Sequence, residues 1–122
     1  MSKTLLVVDD SIILMEIIGL AIENSGYKLL LAGSVNDALK QLDGQKIHLF
    51  LVDINMPGMD GFDFVKHVKG HSLYKHTPIL MLTSELNPIK KQVAKDAGVS
   101  GWVQKPFKVS VLLDAIDKFV DP

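Results

Sequence analysis

The sequence predicts an α/β fold, a single doubly wound five-stranded parallel sheet covered by helices on both faces. Three observations predict it. Short apolar runs alternate with helix-patterned segments along the whole chain. The run Leu49-Phe50-Leu51-Val52 has no polar interruption and is bounded by turn formers, the pattern of a strand buried on both faces. The 122 residues suit one domain, long enough to bury about two thirds of its unfolded surface.

The first strand is expected at Thr4 to Val8, where the apolar run stops at Asp9 and Asp10. So short a run is neither a signal peptide nor a membrane span. A helix follows over Ser11 to Ser25. Its apolar residues cover an arc of about 220°, far beyond the stripe of about 100° that packing on a core requires. Leu14, Ile17, Ile18 and Ala21 are expected to fill the core, leaving Ile12 exposed beside Glu16, Gly19 and Glu23, with Met15 and Ile22 on a flank. Two readings fit, a helix with a few exposed apolar side chains or a docking face for a partner helix.

The second strand is expected at Tyr27 to Ala32, after which Ser34 and Asp37 resemble a capping box that opens a helix. The third, Leu49 to Asp53, leads through a turn-rich stretch to a helix whose start is marked by Asp60 and Asp63. A fourth strand spans Pro78 to Thr83. Asn87-Pro88 then reads as N-cap and first helical residue, and Gly98 as the helix end. On that helix Lys90, Lys91 and Lys95 are expected outside, opposite Ile89, Val93, Ala94 and Ala97. The fifth strand is Gly101 to Gln104. In the last helix Val111, Leu112, Ala115, Ile116 and Phe119 share one face, and Ser110, Asp114, Asp117 and Lys118 the other.

Composition narrows the function. Charged residues make up 22% of the chain at a net charge of -1, with no long run of either sign, so neither a nucleic-acid stripe nor a polybasic membrane patch is present. No nucleic-acid partner and no membrane insertion are expected. The lack of cysteine excludes disulfides and thiol chemistry and fits a cytoplasmic location.

The chemistry gathers at strand ends. Asp9 and Asp10 follow the first strand and Asp53 ends the third, and in a parallel sheet these ends open on one edge, where ligands bind. Two like charges about 4 Å apart cost on the order of 4 kcal/mol at an effective dielectric of 20, so the cluster needs a cation or raised pKa values. Oxygen donors alone favour a hard ion, Mg²⁺ first and Mn²⁺ after it. The fourth strand ends in the hydroxyl of Thr83, and the fifth is followed by the ammonium of Lys105. Acids, a hydroxyl and a lysine on one rim suit a phosphoryl group, with a carboxylate as the nucleophile.

Asp9-Asp10, Asp53, Met56-Pro57-Gly58-Met59-Asp60-Gly61, Thr83 and Lys105-Pro106-Phe107, in this order and spacing, resemble the receiver domain of two-component response regulators. The resemblance spans essentially the whole chain and implies a flavodoxin-like sheet of order 2-1-3-4-5. It implies Asp53 as phosphoacceptor, and Mg²⁺ held by Asp9, Asp10, Asp53 and the backbone carbonyl of Asn55. Lys105 would pair with the phosphoryl oxygens, with Lys105-Pro106 cis. Thr83 would move toward the phosphoryl group and let Trp102 turn inward, switching the face made by the fourth helix, fifth strand and fifth helix. The implied partners are a histidine kinase or phosphotransfer protein, a downstream protein target and a phosphatase. The domain would be a phosphoacceptor, not an enzyme acting on a separate substrate. Residues 1–122 read as one receiver domain with no separate output domain. Gly101 to Phe107, Asn55 and Glu85 look like stand-alone chemotaxis-type members, whereas Met15 and Glu16 stand where many of those carry basic residues. A phosphorelay intermediate, a kinase-regulating receiver and a non-phosphorylated interaction module are the alternatives.

Other readings fit less well. An EF-hand loop starting at Asp53 would have Pro57 fifth and Phe64 where a bidentate Glu belongs. A dehalogenase-type phosphatase needs a second acid where Asn55 stands. Acidic residues on the rim would repel a flavin phosphate. His67 and His71 have no evident third ligand.

Overall fold

The computed structural model describes residues 3–54, 61–84 and 88–120. Asn55 to Asp60, Glu85 and Asn87 lie outside the described residues, as do the side chains of Ile89 and Lys90. The chain runs β1 (Thr4–Val8), α1 (Ile12–Glu23), β2 (Lys28–Ala32), α2 (Val35–Lys40), β3 (Leu49–Asp53), α3 (Gly61–Lys69), β4 (Ile79–Thr83), α4 (Pro88–Asp96), β5 (Gly101–Gln104) and α5 (Val109–Phe119). All strand pairings are parallel and the order is β2-β1-β3-β4-β5, the flavodoxin-like arrangement.

Alternation along the strands builds two cores. Leu6, Val8, Phe50, Val52, Ile79 and Met81 point to the face covered by α2, α3 and α4. Leu5, Val7, Leu49, Leu51, Leu80 and Leu82 point to the face covered by α1 and α5. Every residue of β1, β3 and β4 is buried, which is why these strands read as unbroken apolar runs.

Local chemistry sets the element ends. The Ser11 hydroxyl accepts from Leu14 N and that of Ser34 from Asp37 N, each at 3.1 Å, capping α1 and α2. After α4, Gly98 has φ +98°. Its N–H donates to Lys95 O and that of Val99 to Ala94 O, so the left-handed glycine closes a Schellman turn. Two strands start one residue later than expected. Pro78 has no N–H to give the ladder. Tyr27 is turned into the core, its hydroxyl 2.6 Å from Asp117 Oδ1 and 2.9 Å from Val120 O.

Helix orientations differ from expectation in three places. The sheet-facing stripe of α1 centres on Ile18 and Ile22, both buried, so Ile17, about 100° round the helix, turns out to 44% exposure. Ile12, Ile13 and Leu20 are each more than 70% exposed. On α4 Ala94 is buried but Val93 faces solvent, while Lys91 is half-buried. On α5 Leu112 and Ile116 fill the core and Val111 is exposed.

At the foot of β3, His48 Nδ1 accepts a hydrogen bond from Thr4 N at 3.0 Å. Burial, with the nearby positive charges of Lys3 and Lys46, holds the imidazole below the usual histidine range. A depressed pKa means that folding favours the neutral ring. Its contribution is therefore complete above about pH 6.5 and is lost as the pH falls through the folded-state value. His48→Gln, which offers an acceptor that does not titrate, is expected to lose less melting temperature than the parent between pH 7 and pH 5 in a thermal-unfolding series.

Candidate functional site

The register Val8↔Val52 sets the ends of β1 and β3 side by side, so Asp9 and Asp53 leave the sheet as neighbours. Asp9 is completely buried, Asp53 is buried and Asp10 is exposed. One carboxylate oxygen from each lies within 4.8 Å of the others.

The ammonium of Lys105 sits between the two buried acids, 2.9 Å from Asp9 Oδ2 and 3.4 Å from Asp53 Oδ2. It supplies the cation that a buried carboxylate pair requires. The other oxygen of Asp9 accepts from Ser11 N at 2.9 Å, so the same side chain shapes the entry to α1. Lys105 N donates to Thr83 O at 2.7 Å, carrying the β4–β5 ladder one residue past β5 and bringing the lysine back over the strand ends. The Lys105–Pro106 peptide bond is cis, as the resemblance implied.

Thr83 ends β4 and is buried. With Ile54, Phe62, Met81, Ala94 and Trp102 it lines a small pocket between α4 and the sheet, which Lys91 also borders. Trp102 is 38% exposed, and Lys91 Nζ lies 5.0 Å from the centroid of its ring. Lys105 therefore reaches the acids, while Trp102 shares the pocket lining with Thr83.

The donor set fits a small hard divalent cation. Among the described residues three carboxylates converge, with no histidine or cysteine among them. The Asn55 carbonyl, expected as a further ligand, and Glu85 lie outside the described residues. Among the described residues His67 and His71 join no metal-binding cluster, and His71 Nδ1 accepts from Leu73 N instead.

The family model of the response regulator receiver domain matches residues 5–117. The chemotaxis protein CheY of Pseudomonas aeruginosa is 34% identical over 118 residues, spanning 96% of this chain and 95% of that protein. The chemotaxis protein CheY1 of Helicobacter pylori is 36% identical over 115 residues, 93% of each chain. Among solved structures, the chemotaxis protein CheY4 of Vibrio cholerae superposes with a TM-score of 0.94 at 38% identity, covering 98% of this chain and all of that one.

Reading the residues one by one missed two contacts of this site. Lys105 was expected to meet a phosphoryl group, and its ion pair with Asp9 joins residues 96 positions apart, which no local signal announces. Gly61 read as a turn former after β3 and as the last residue of the run Met56 to Gly61 that carries the resemblance, with no contact assigned to it. A Cβ there would lie 2.5 Å from Asp53 O and 2.8 Å from Ile54 Cα, so the first turn of α3 rests directly on the backbone of the acidic site. Gly61→Ala is expected to cost about 1–3 kcal/mol through overpacking. Denaturant unfolding checks this: a loss in that range is expected, and an unchanged midpoint would show that the backbone yields freely.

Proposed function

Because the chain belongs to the response regulator receiver domain family, we propose that Asp53 accepts a phosphoryl group from a histidine kinase or phosphotransfer protein in chemotaxis or motility signalling. The convergence of Asp9, Asp10 and Asp53 with Lys105 carries this reading. A carboxylate oxygen of Asp53 attacks phosphorus as the bond to the donor nitrogen breaks, and the histidine keeps that electron pair. Lys105, already between Asp9 and Asp53, follows the new negative charge onto the phosphoryl oxygens. Asp9, Asp10, Asp53 and the carbonyl of Asn55 would hold Mg²⁺, with Mn²⁺ as the second choice. When bound, that ion neutralises the carboxylates and the transferring phosphoryl oxygens. The domain serves as a signalling module whose covalent state is the signal.

The switch runs through Thr83. Its hydroxyl turns toward the phosphoryl group, and the pocket behind it admits Trp102, which changes the surface of α4, β5 and α5. Exposed Lys95 and half-buried Lys91 on α4 favour a downstream protein segment of acidic character. A phosphatase would return the domain to its resting state.

On α1, exposed Ile12, Ile13, Ile17 and Leu20 favour the docking of a partner helix. One depression beside them, formed by Leu14, Ile17, Pro106 and Phe107, includes Lys105, so a helix seated there lies next to the acceptor. Ile12 and Met15 line a second groove on the other flank, with Leu31 of the edge strand. Changing Ile12 and Met15 together to Ser and Gln is expected to slow phosphotransfer from the kinase at least severalfold, with phosphorylation by acetyl phosphate unchanged; equal kinase rates would remove the Ile12 and Met15 face from the interface.

The experiment that tests the function is the intact mass after incubation with acetyl phosphate, with and without Mg²⁺, beside Asp53→Asn. One Mg²⁺-dependent phosphoryl adduct that the variant lacks is the expected result. An adduct that survives Asp53→Asn would place the acceptor elsewhere.

A further inference from the structure

Trp102 is engaged by a contact that the phosphoryl chemistry does not require. The indole stands on the edge strand β5, paired in register with Met81, at the mouth of the pocket that Thr83 lines. Lys91 borders the same pocket and holds its ammonium 5.0 Å from the indole centroid. A cation in that position is attracted by the negative face of the ring, and Trp is the strongest aromatic acceptor. Lys95, one turn along α4, is simply exposed, whereas Lys91 is half-buried beside the ring.

We propose that Lys91 is a latch that holds Trp102 at the pocket mouth and so sets how much of the domain occupies the ring-in state before any signal arrives. The inference rests on the reading of Thr83 and Trp102 as a coupled switch. For the ring to enter the pocket, the ammonium must give up the indole face and its aliphatic stem must yield space along the wall. A contact of this kind at a partly exposed site biases a two-state equilibrium about two- to fivefold. The bias acts against the ring-in state, so the latch raises the signal needed for switching.

Trp102 is the single tryptophan, and its fluorescence reports this equilibrium without a label. Acrylamide quenching would be compared in the parent, in Lys91→Met, which keeps an unbranched apolar stem, and in Lys91→Arg, which keeps the cation. Less quenching in Lys91→Met and parent-like quenching in Lys91→Arg are expected. A titration with beryllium fluoride and Mg²⁺, a tetrahedral mimic of the phosphoryl group, is expected to reach its midpoint at about two- to fivefold lower concentration in Lys91→Met. Unchanged or greater quenching in Lys91→Met overturns the latch, as does a Lys91→Arg protein that behaves like Lys91→Met. Reduced quenching in Lys91→Met alone, with no response of the parent to beryllium fluoride, would uphold the latch and count against phosphoryl control of the ring.

Discussion

Two carboxylates buried at adjacent strand ends repel each other, and the Lys105 ammonium between them is the contact on which the site depends. Burial makes an unpaired charge costly, so Asp9 at zero exposure needs a cation within reach. Lys105 meets that need from the end of β5, across β4 and β3, because its backbone N–H continues the β4–β5 ladder onto Thr83 O. Lys105 offsets only part of the acidic charge in the resting state and stays open to exchange, since its side chain retains 23% exposure.

Around this pair the two faces of the sheet are covered unequally. Three helices lie over one core, where Phe50 packs edge-on against Phe64 and Tyr74. Only α1 and α5 lie over the other, and α1 gives just Ile18 and Ile22 fully to the interior. Its remaining isoleucines and Leu20 are left to solvent, with Ile17 in the depression that includes Lys105. Apolar surface of that extent is what the proposed docking of a partner helix would cover. At the opposite edge, Trp102 and Lys91 occupy the seam between α4 and β5, so the two ends of the proposed signal path sit on different helices and join only through the strand ends.

Much of this was legible in the residues. β1, β3 and β5 have the expected bounds, and in β1 and β3 burial on both faces leaves an unbroken apolar run. The cap at Ser34 and the glycine stop at Gly98 rest on local hydrogen bonds within a few residues, and they too could be read in advance, whereas Ser11, expected inside the first helix, caps it instead. The rotation of α1 could not. An arc of about 220° holds more apolar side chains than one core contact can bury, and nothing local chooses Ile22 over Ile17. Val93 and Val111 were assigned inward by the same periodicity and are exposed, because α4 and α5 each contribute one narrow stripe.

Alone, the sequence determined the element order, the parallel sheet, the reactive residue types and the edge at which Asp9, Asp53, Thr83 and Lys105 gather. Those follow from local burial patterns and from the rule that parallel strands end on one side. Only the tertiary structure decided that Lys105 rests on Asp9 before any ligand arrives, that Gly61 leaves no room above Asp53, and that Lys91 covers Trp102. Each of these joins separate elements at a distance of a few ångströms. Such contacts depend on helix rotation and strand register, which are set by the packing of the whole chain rather than by any local stretch of it.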